Sequence, residues 1–336
     1  MPRLEVSGPV AISVPVDDPN DPSYWVTAGD YSGVVELDLS GGDVCTGSLL
    51  TSGRHILTAA HCFERVSQTG QPTLNPNPNR VTAIFHLAAD KVEVSVKAIF
   101  VHPDWQNLEG SNADLAIALL TEPAPDQAQR YDLYRGSDEI GKVFTRVGVG
   151  TRANGRAGEV DLAADDPSPV MRFGQNKYEA LGERFNESDT EPENYVEPGQ
   201  QLVYDFDSGK ASNDAFGAEF NLLDRGLGKR EIGASGGDSG GPAFIEGKVA
   251  GISSTGLSPD AAGIDVTFPN DTSFGEYFFD TRVSAFTGYI DQVVAGEVPA
   301  PEPPAAMTPG IGLAAGIPIT IGAAAWAVRS KRKISR

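Results

Sequence analysis

The sequence predicts an all-β protein with one late helix, the text that two antiparallel barrels need. Three observations carry this expectation. Short apolar runs recur between Gly, Pro, Asn and Asp turns, while helical periodicity is scarce. The chain has 336 residues, enough for about two domain-sized units. Its 40% hydrophobic content suffices for real cores.

In chain order, the expected strands are "GVVELDLS", "RVTAIFHL", "KVEVSVKAIFV", "KVFTRVGVG", "QQLVYDFD" and "KVAGISS". Two further short strands flank cysteines or histidines, "DVCTGSLL" and "HILTAAHCF". Another, "SNADLAIALL", carries Asp114 at its head, before a run patterned as a buried strand.

The stretch "GASGGDSGGPAF", residues 233–244, carries the chemistry. A glycine-rich turn is ordinarily only a turn. This one also fits G-x-S-x-G, in which a serine sits on a sharp bend beside free backbone N–H groups. A serine nucleophile needs a base. The four histidines, His55, His61, His86 and His102, all precede Ser239. That order excludes an α/β-hydrolase, whose histidine follows its serine. His55 and His86 read as ordinary strand residues and His102 as a turn residue before Pro103. Asp104 competes with Asp114 as the acid, but it lies in a Pro-Trp turn where aspartate commonly makes local hydrogen bonds. Two cysteines and one histidine fall short of a structural zinc site.

Taken together and in order, "TAAHC", "NADLAIALL" and "GDSGGPAF" resemble the trypsin/chymotrypsin family of serine proteases. "KVAGISSTG" resembles the strand lining its substrate channel, and "DTRVSAFTGYIDQVV" its last strand and closing helix. The resemblance covers roughly residues 25–295. It implies two antiparallel six-stranded β-barrels, about 25–135 and 140–295, with the site in the cleft between them. Residues 1–24 read as an N-terminal extension. The implied reaction is peptide-bond hydrolysis of protein or peptide substrates, with no cofactor and no metal. Ser239 would be the nucleophile, His61 its general base and Asp114 the orienting acid, with an oxyanion hole from the N–H groups of Gly237 and Ser239. Ser235 lies four residues early, in the approach loop. The alternative, from another class, is a catalytically idle protease-fold module binding surface protein or polysaccharide; the intact His61, Asp114 and Ser239 argue against it.

The same resemblance pairs Cys45 with Cys62, closing a loop of about 18 residues and contributing roughly 3 kcal/mol through chain entropy. A disulfide implies an oxidising compartment. It also places Gly233 at the floor of the primary substrate pocket, next to Ala234, with Ser254, Thr255 and Gly256 framing the entrance. Threonine stands where the family usually has tryptophan, and Ser235 where a bracing cysteine often sits. A neutral floor disfavours cationic side chains, unless Asp280 supplies a charge from the third wall. Family zymogens pair a new N-terminus with the aspartate before the serine, here Asp238. The only basic residue before Arg54 is Arg3. Activation therefore differs, or Asp238 has another partner, or the enzyme is latent.

Residues 152–232 are long and polar and read as expanded surface loops. Asp205, Asp207 and Asp214 are candidate calcium ligands. Their spacing fits no EF-hand, so solvated acidic loops are the favoured reading.

The C-terminal text differs. Residues 296–307 form a Pro-rich linker, residues 308–328 hold 21 uncharged residues, and residues 329–336 form a basic tail. As a helix the uncharged stretch would span about 31 Å, the thickness of a bilayer core, with the basic end cytoplasmic. Linker, span and tail resemble the PEP-CTERM sorting signal of Gram-negative bacteria, with Pro301, Glu302 and Pro303 as its motif. That resemblance implies an exosortase-type sorting enzyme as partner and an exported protein, membrane-anchored or released to the surface or extracellular matrix. A plain single-span anchor is the bland alternative. The start "MPRLEVSGPVAISVPV" lacks a signal-peptide core, so a truncated or misassigned start is expected. The net charge of −20 disfavours nucleic acid and anionic membrane surfaces as partners.

Overall fold

The computed structural model describes residues 12–40, 42–66, 72–74, 76–105, 112–160, 171–187, 195–267 and 270–301. Six strands close the first barrel: β1 (Val34–Asp38), β2 (Val44–Leu49), β3 (His55–Thr58), β4 (Thr82–His86), β5 (Lys91–Val101) and β6 (Ala116–Leu120). Their hydrogen-bonded order is β1-β2-β3-β6-β5-β4, returning to β1. Closure removes the exposed edges that an open sheet would present. β1 and β6 are almost wholly buried, so they read as continuous apolar text, whereas β5 alternates before burying its last turns.

The second sheet has seven strands: β7 (Val143–Gly148), β8 (Arg172–Lys177), β9 (Ala180–Leu181), β10 (Gln201–Asp205), β11 (Pro242–Ile245), β12 (Lys248–Leu257) and β13 (Tyr277–Arg282). They run in the order β8-β7-β11-β12-β13-β10-β9. This corrects the expected second six-stranded barrel: no ladder closes this sheet among the described residues. Its two edge strands are nevertheless separated in the chain only by Tyr178 and Glu179, so the sheet must curl until its edges meet. Counted as one bent strand, β8 and β9 give six.

Two helices follow from their spacing. In α2 (Val283–Val294), Val283, Phe286, Ile290 and Val293 repeat at intervals of three and four and are all buried. They join the apolar core shared with the first barrel, and Tyr289 Oη donates to the Val101 carbonyl at 3.0 Å. Each such side chain contributes roughly 1.5–3 kcal/mol on burial. The short α1 (Ala215–Phe220) covers the outer face of β10 and β13 through Phe216, which packs with Val203, Tyr277 and Phe279.

Two expectations change here. The region 152–232 is not loop alone, because it supplies β8, β9 and β10. Asp205, Asp207 and Asp214, expected on solvated loops, are only 1%, 3% and 2% exposed. With α1 on one face and the sheet interior on the other, β10 is buried throughout. Residues of the N-terminal extension pack on this half: Ser13 exchanges backbone hydrogen bonds with Gly233, and Ile12, Val14 and Tyr24 bury against Ile232. No helix among the described residues is long and apolar enough to cross a membrane. The uncharged stretch 308–328, together with Glu302 and Pro303, lies outside the described residues; Pro301 is exposed.

Candidate active site

Asp114 is held by four hydrogen bonds. It is 1% exposed. Its Oδ1 accepts the backbone N–H groups of Ala60 at 2.8 Å and His61 at 2.9 Å, and its Oδ2 meets His61 Nδ1 at 2.7 Å. Ser254 Oγ adds a fourth bond at 2.5 Å. The small residues of "TAAHC" make this possible: Ala59 and Ala60 are fully buried, leaving room for the backbone after β3 to run past the carboxylate. Ala113 holds a left-handed φ of 55°, a strained conformation for alanine that delivers Asp114 just ahead of β6. Thr281 Oγ1 ties down the Asp114 carbonyl at 2.8 Å.

Burial raises the Asp114 carboxyl, but the His61 charge and hydrogen bonds outweigh it and hold the group below its usual value. Burial likewise depresses His61, yet the Asp114 charge and hydrogen bond win and hold the imidazole above its usual value. With Asp114 ionised, Nδ1 carries the proton and Nε2 is the basic nitrogen. Asp104 does not orient His61: its side chain is 78% exposed and lies 4.0 Å from His102. His86 pairs with Glu36 at 2.8 Å, His55 with Ser52 at 2.8 Å, and His102 packs edge-on against Phe286 and Tyr289.

Ser239 sits on a turn gripped from both halves of the molecule. Thr46 of β2 donates its N–H to the Ser239 carbonyl at 2.8 Å and its Oγ1 to the Gly237 carbonyl at 2.9 Å. From the other side, Gly240 N–H donates to the Ser253 carbonyl of β12 at 2.8 Å. Gly240 has φ +80°, and a Cβ there would lie 2.0 Å from Thr58 Oγ1, so only glycine fits. Gly237, at φ +90°, faces the Gly150 backbone in the same way. Among the described residues, the N–H groups of Gly237 and Ser239 donate to no partner, and Ser239 Oγ makes no hydrogen bond.

The disulfide Cys45–Cys62 is present. It joins β2, whose Thr46 holds the serine turn, to the residue beside His61. The two cysteines and His61 lie close together, but sulfurs bonded to each other offer no thiolate to a metal. Ser235 is fully engaged: its Oγ donates to the Thr151 carbonyl and its N–H to Asp238 at 2.9 Å.

Asp238 has another partner, as one expectation allowed. Its Oδ2 also accepts the backbone N–H of Ile12 at 3.2 Å, and its Oδ1 that of Gly150 at 3.1 Å. Burial pushes Asp238 up to about 6, against the pull of its backbone N–H donors and the Arg146 charge.

The atoms nearest Gly233 are aromatic. A Cβ at that position would meet the rings of Phe278 and Phe206 at 3.0 and 3.1 Å. Ala234 is buried beside them. Ser254, Thr255 and Gly256 lie on β12, with Thr255 and Gly256 paired to Phe279 and Phe278 of β13. Asp280 is not free to add charge: it is fully buried, accepts two hydrogen bonds from Arg146 at 2.6 and 2.5 Å, and also accepts one from Tyr178 Oη. The one sign of this pairing in the sequence is Arg146 itself, a charge in the middle of an apolar strand.

The described contacts give a carboxylate-held imidazole, and separately a serine on a rigid turn whose neighbouring amides are unengaged. Residues 26–176, which include His61 and Asp114, match the family model described as Trypsin, and the match supports a hydrolase of the trypsin-like serine protease kind.

Proposed function

We propose that this protein is a serine endopeptidase in which Ser239, His61 and Asp114 carry the reaction. The observation behind this is the grip of buried Asp114 on both the ring and the backbone of His61. Ser239 Oγ attacks the scissile carbonyl carbon and its proton passes to His61 Nε2. The carbonyl oxygen gains negative charge between the N–H groups of Gly237 and Ser239, which need not leave other partners to receive it. The C–N bond then breaks as His61 protonates the departing amine. Water attacks the acyl-enzyme, gives its proton to His61, and releases the acid and free Ser239. Ser254 and Asp114 position His61 throughout. No observation favours the idle-module reading.

The surroundings of Gly233, Ala234, Ser254, Thr255 and Gly256 support a preference for small or medium apolar side chains before the cleaved bond. A lysine or arginine entering there would find the Asp280 charge already spent on Arg146. An unpaired buried cation costs several kcal/mol. In a fluorogenic peptide library, kcat/KM for apolar residues should exceed that for Arg and Lys by at least about 100-fold. A maximum at Arg or Lys would overturn the neutral-pocket reading.

The C-terminal text supports an exported protein sorted to the cell surface through Pro301–Glu302–Pro303. In a host with an exosortase-type enzyme, mass spectrometry should find the chain shortened near Pro301. An intact basic terminus in that host leaves the plain anchor as the better account.

A further inference from the structure

Among the described residues, the densest buried charge outside the cleft is acidic. Asp205 ends β10, and its Oδ2 accepts the N–H groups of Ala215 at 2.8 Å and Phe216 at 3.0 Å. Asp214 precedes α1 and accepts the Gly217 N–H at 2.5 Å. Asp207 differs from both. It is 3% exposed, and its Oδ1 is buried with no hydrogen-bond partner among the described residues. One carboxylate oxygen from each of these three lies within 4.8 Å of the others. Glu179 shares a hydrogen bond with Asp205, and Glu231 is buried alongside. The nearby cation, Lys177, is already paired with Asp224.

Five carboxylates facing one engaged ammonium are not a stable arrangement by themselves. A buried charge is paired, protonated or metal-bound. We infer that Asp205, Asp207 and Asp214 form a calcium site, with the unpartnered Asp207 oxygen as its central ligand. The donors in this group are all hard carboxylate oxygens. That set disfavours zinc and copper. Oxygens on opposite sides of a calcium ion stand about 4.6–5.2 Å apart, which suits this spacing. Magnesium sheds its waters reluctantly and is poorly served by a buried, protein-walled cluster.

Calcium chloride titrated into the EDTA-treated full chain in a calorimeter tests this. One ion per chain should bind with Kd between about 10⁻⁶ and 10⁻³ M. At a hundred-fold excess over Kd, the melting temperature should rise by roughly 5–10 °C. Asp207→Asn should weaken binding at least about 30-fold and remove that shift, while melting in EDTA no lower than wild type, because it deletes an unpaired charge. Equal affinity for magnesium would contradict the calcium assignment, and a calcium shift that survives in Asp207→Asn would place the ion elsewhere. Melting that is identical in calcium and EDTA would overturn the site.

Discussion

Ser239→Ala should lower kcat by on the order of 10⁶-fold, leaving only what the Gly237 and Ser239 amides and substrate binding supply. Ser235→Ala should keep most of the activity, because that hydroxyl is spent on the Thr151 carbonyl. The reverse result would mean the wrong serine carries the chemistry. The wild-type pH profile tests the base in the same assay. His61 must be neutral to accept a proton, and Asp114 holds its conjugate acid above the ordinary histidine value. kcat/KM should therefore rise with pH through a midpoint above about 6.5. In Asp114→Asn burial opposes only the smaller Glu64 charge, so the midpoint should move down while kcat falls on the order of 10⁴-fold. A midpoint that ignores this substitution would separate Asp114 from the base.

Asp280→Ala should be the most destabilising single change in the second sheet. It strands the fully buried Arg146 guanidinium and removes the partner of Tyr178. Breaking a buried pair in this way costs about 3–5 kcal/mol, a large part of a stability that is typically about 5–15 kcal/mol. Urea unfolding followed by fluorescence measures it. A double variant, Arg146→Met with Asp280→Leu, should recover most of the loss, since apolar residues of similar volume replace such pairs at little cost. A loss under about 1 kcal/mol for Asp280→Ala would show that the pair is not held as described.

The sequence made the strands legible because turn residues punctuate them. "KVEVSVKAIFV" coincides with β5, and "KVAGISS" begins β12. The pairing of His61 with Asp114 was legible because each lies in a short motif with constrained neighbours, such as the two alanines before His61. What stayed hidden depended on partners distant in sequence. Nothing local says that Asp280 meets Arg146, 134 positions earlier. Asp205 looked solvated because its strand ends in alternating acids, and only the packing of α1 over β10 buries it. The second sheet resisted for a related reason. Residues 172–181 read as loop because their text is polar, yet they supply both edge strands, with Tyr178 and Glu179 between them.

The central claim is that Ser239 is an activated nucleophile. A fluorophosphonate probe, followed by peptide mapping of the folded chain, tests it most directly. The account predicts a single adduct on Ser239, lost in Ser239→Ala and strongly slowed in His61→Ala. An adduct on Ser235, or a folded wild-type chain that takes up no probe, would contradict it.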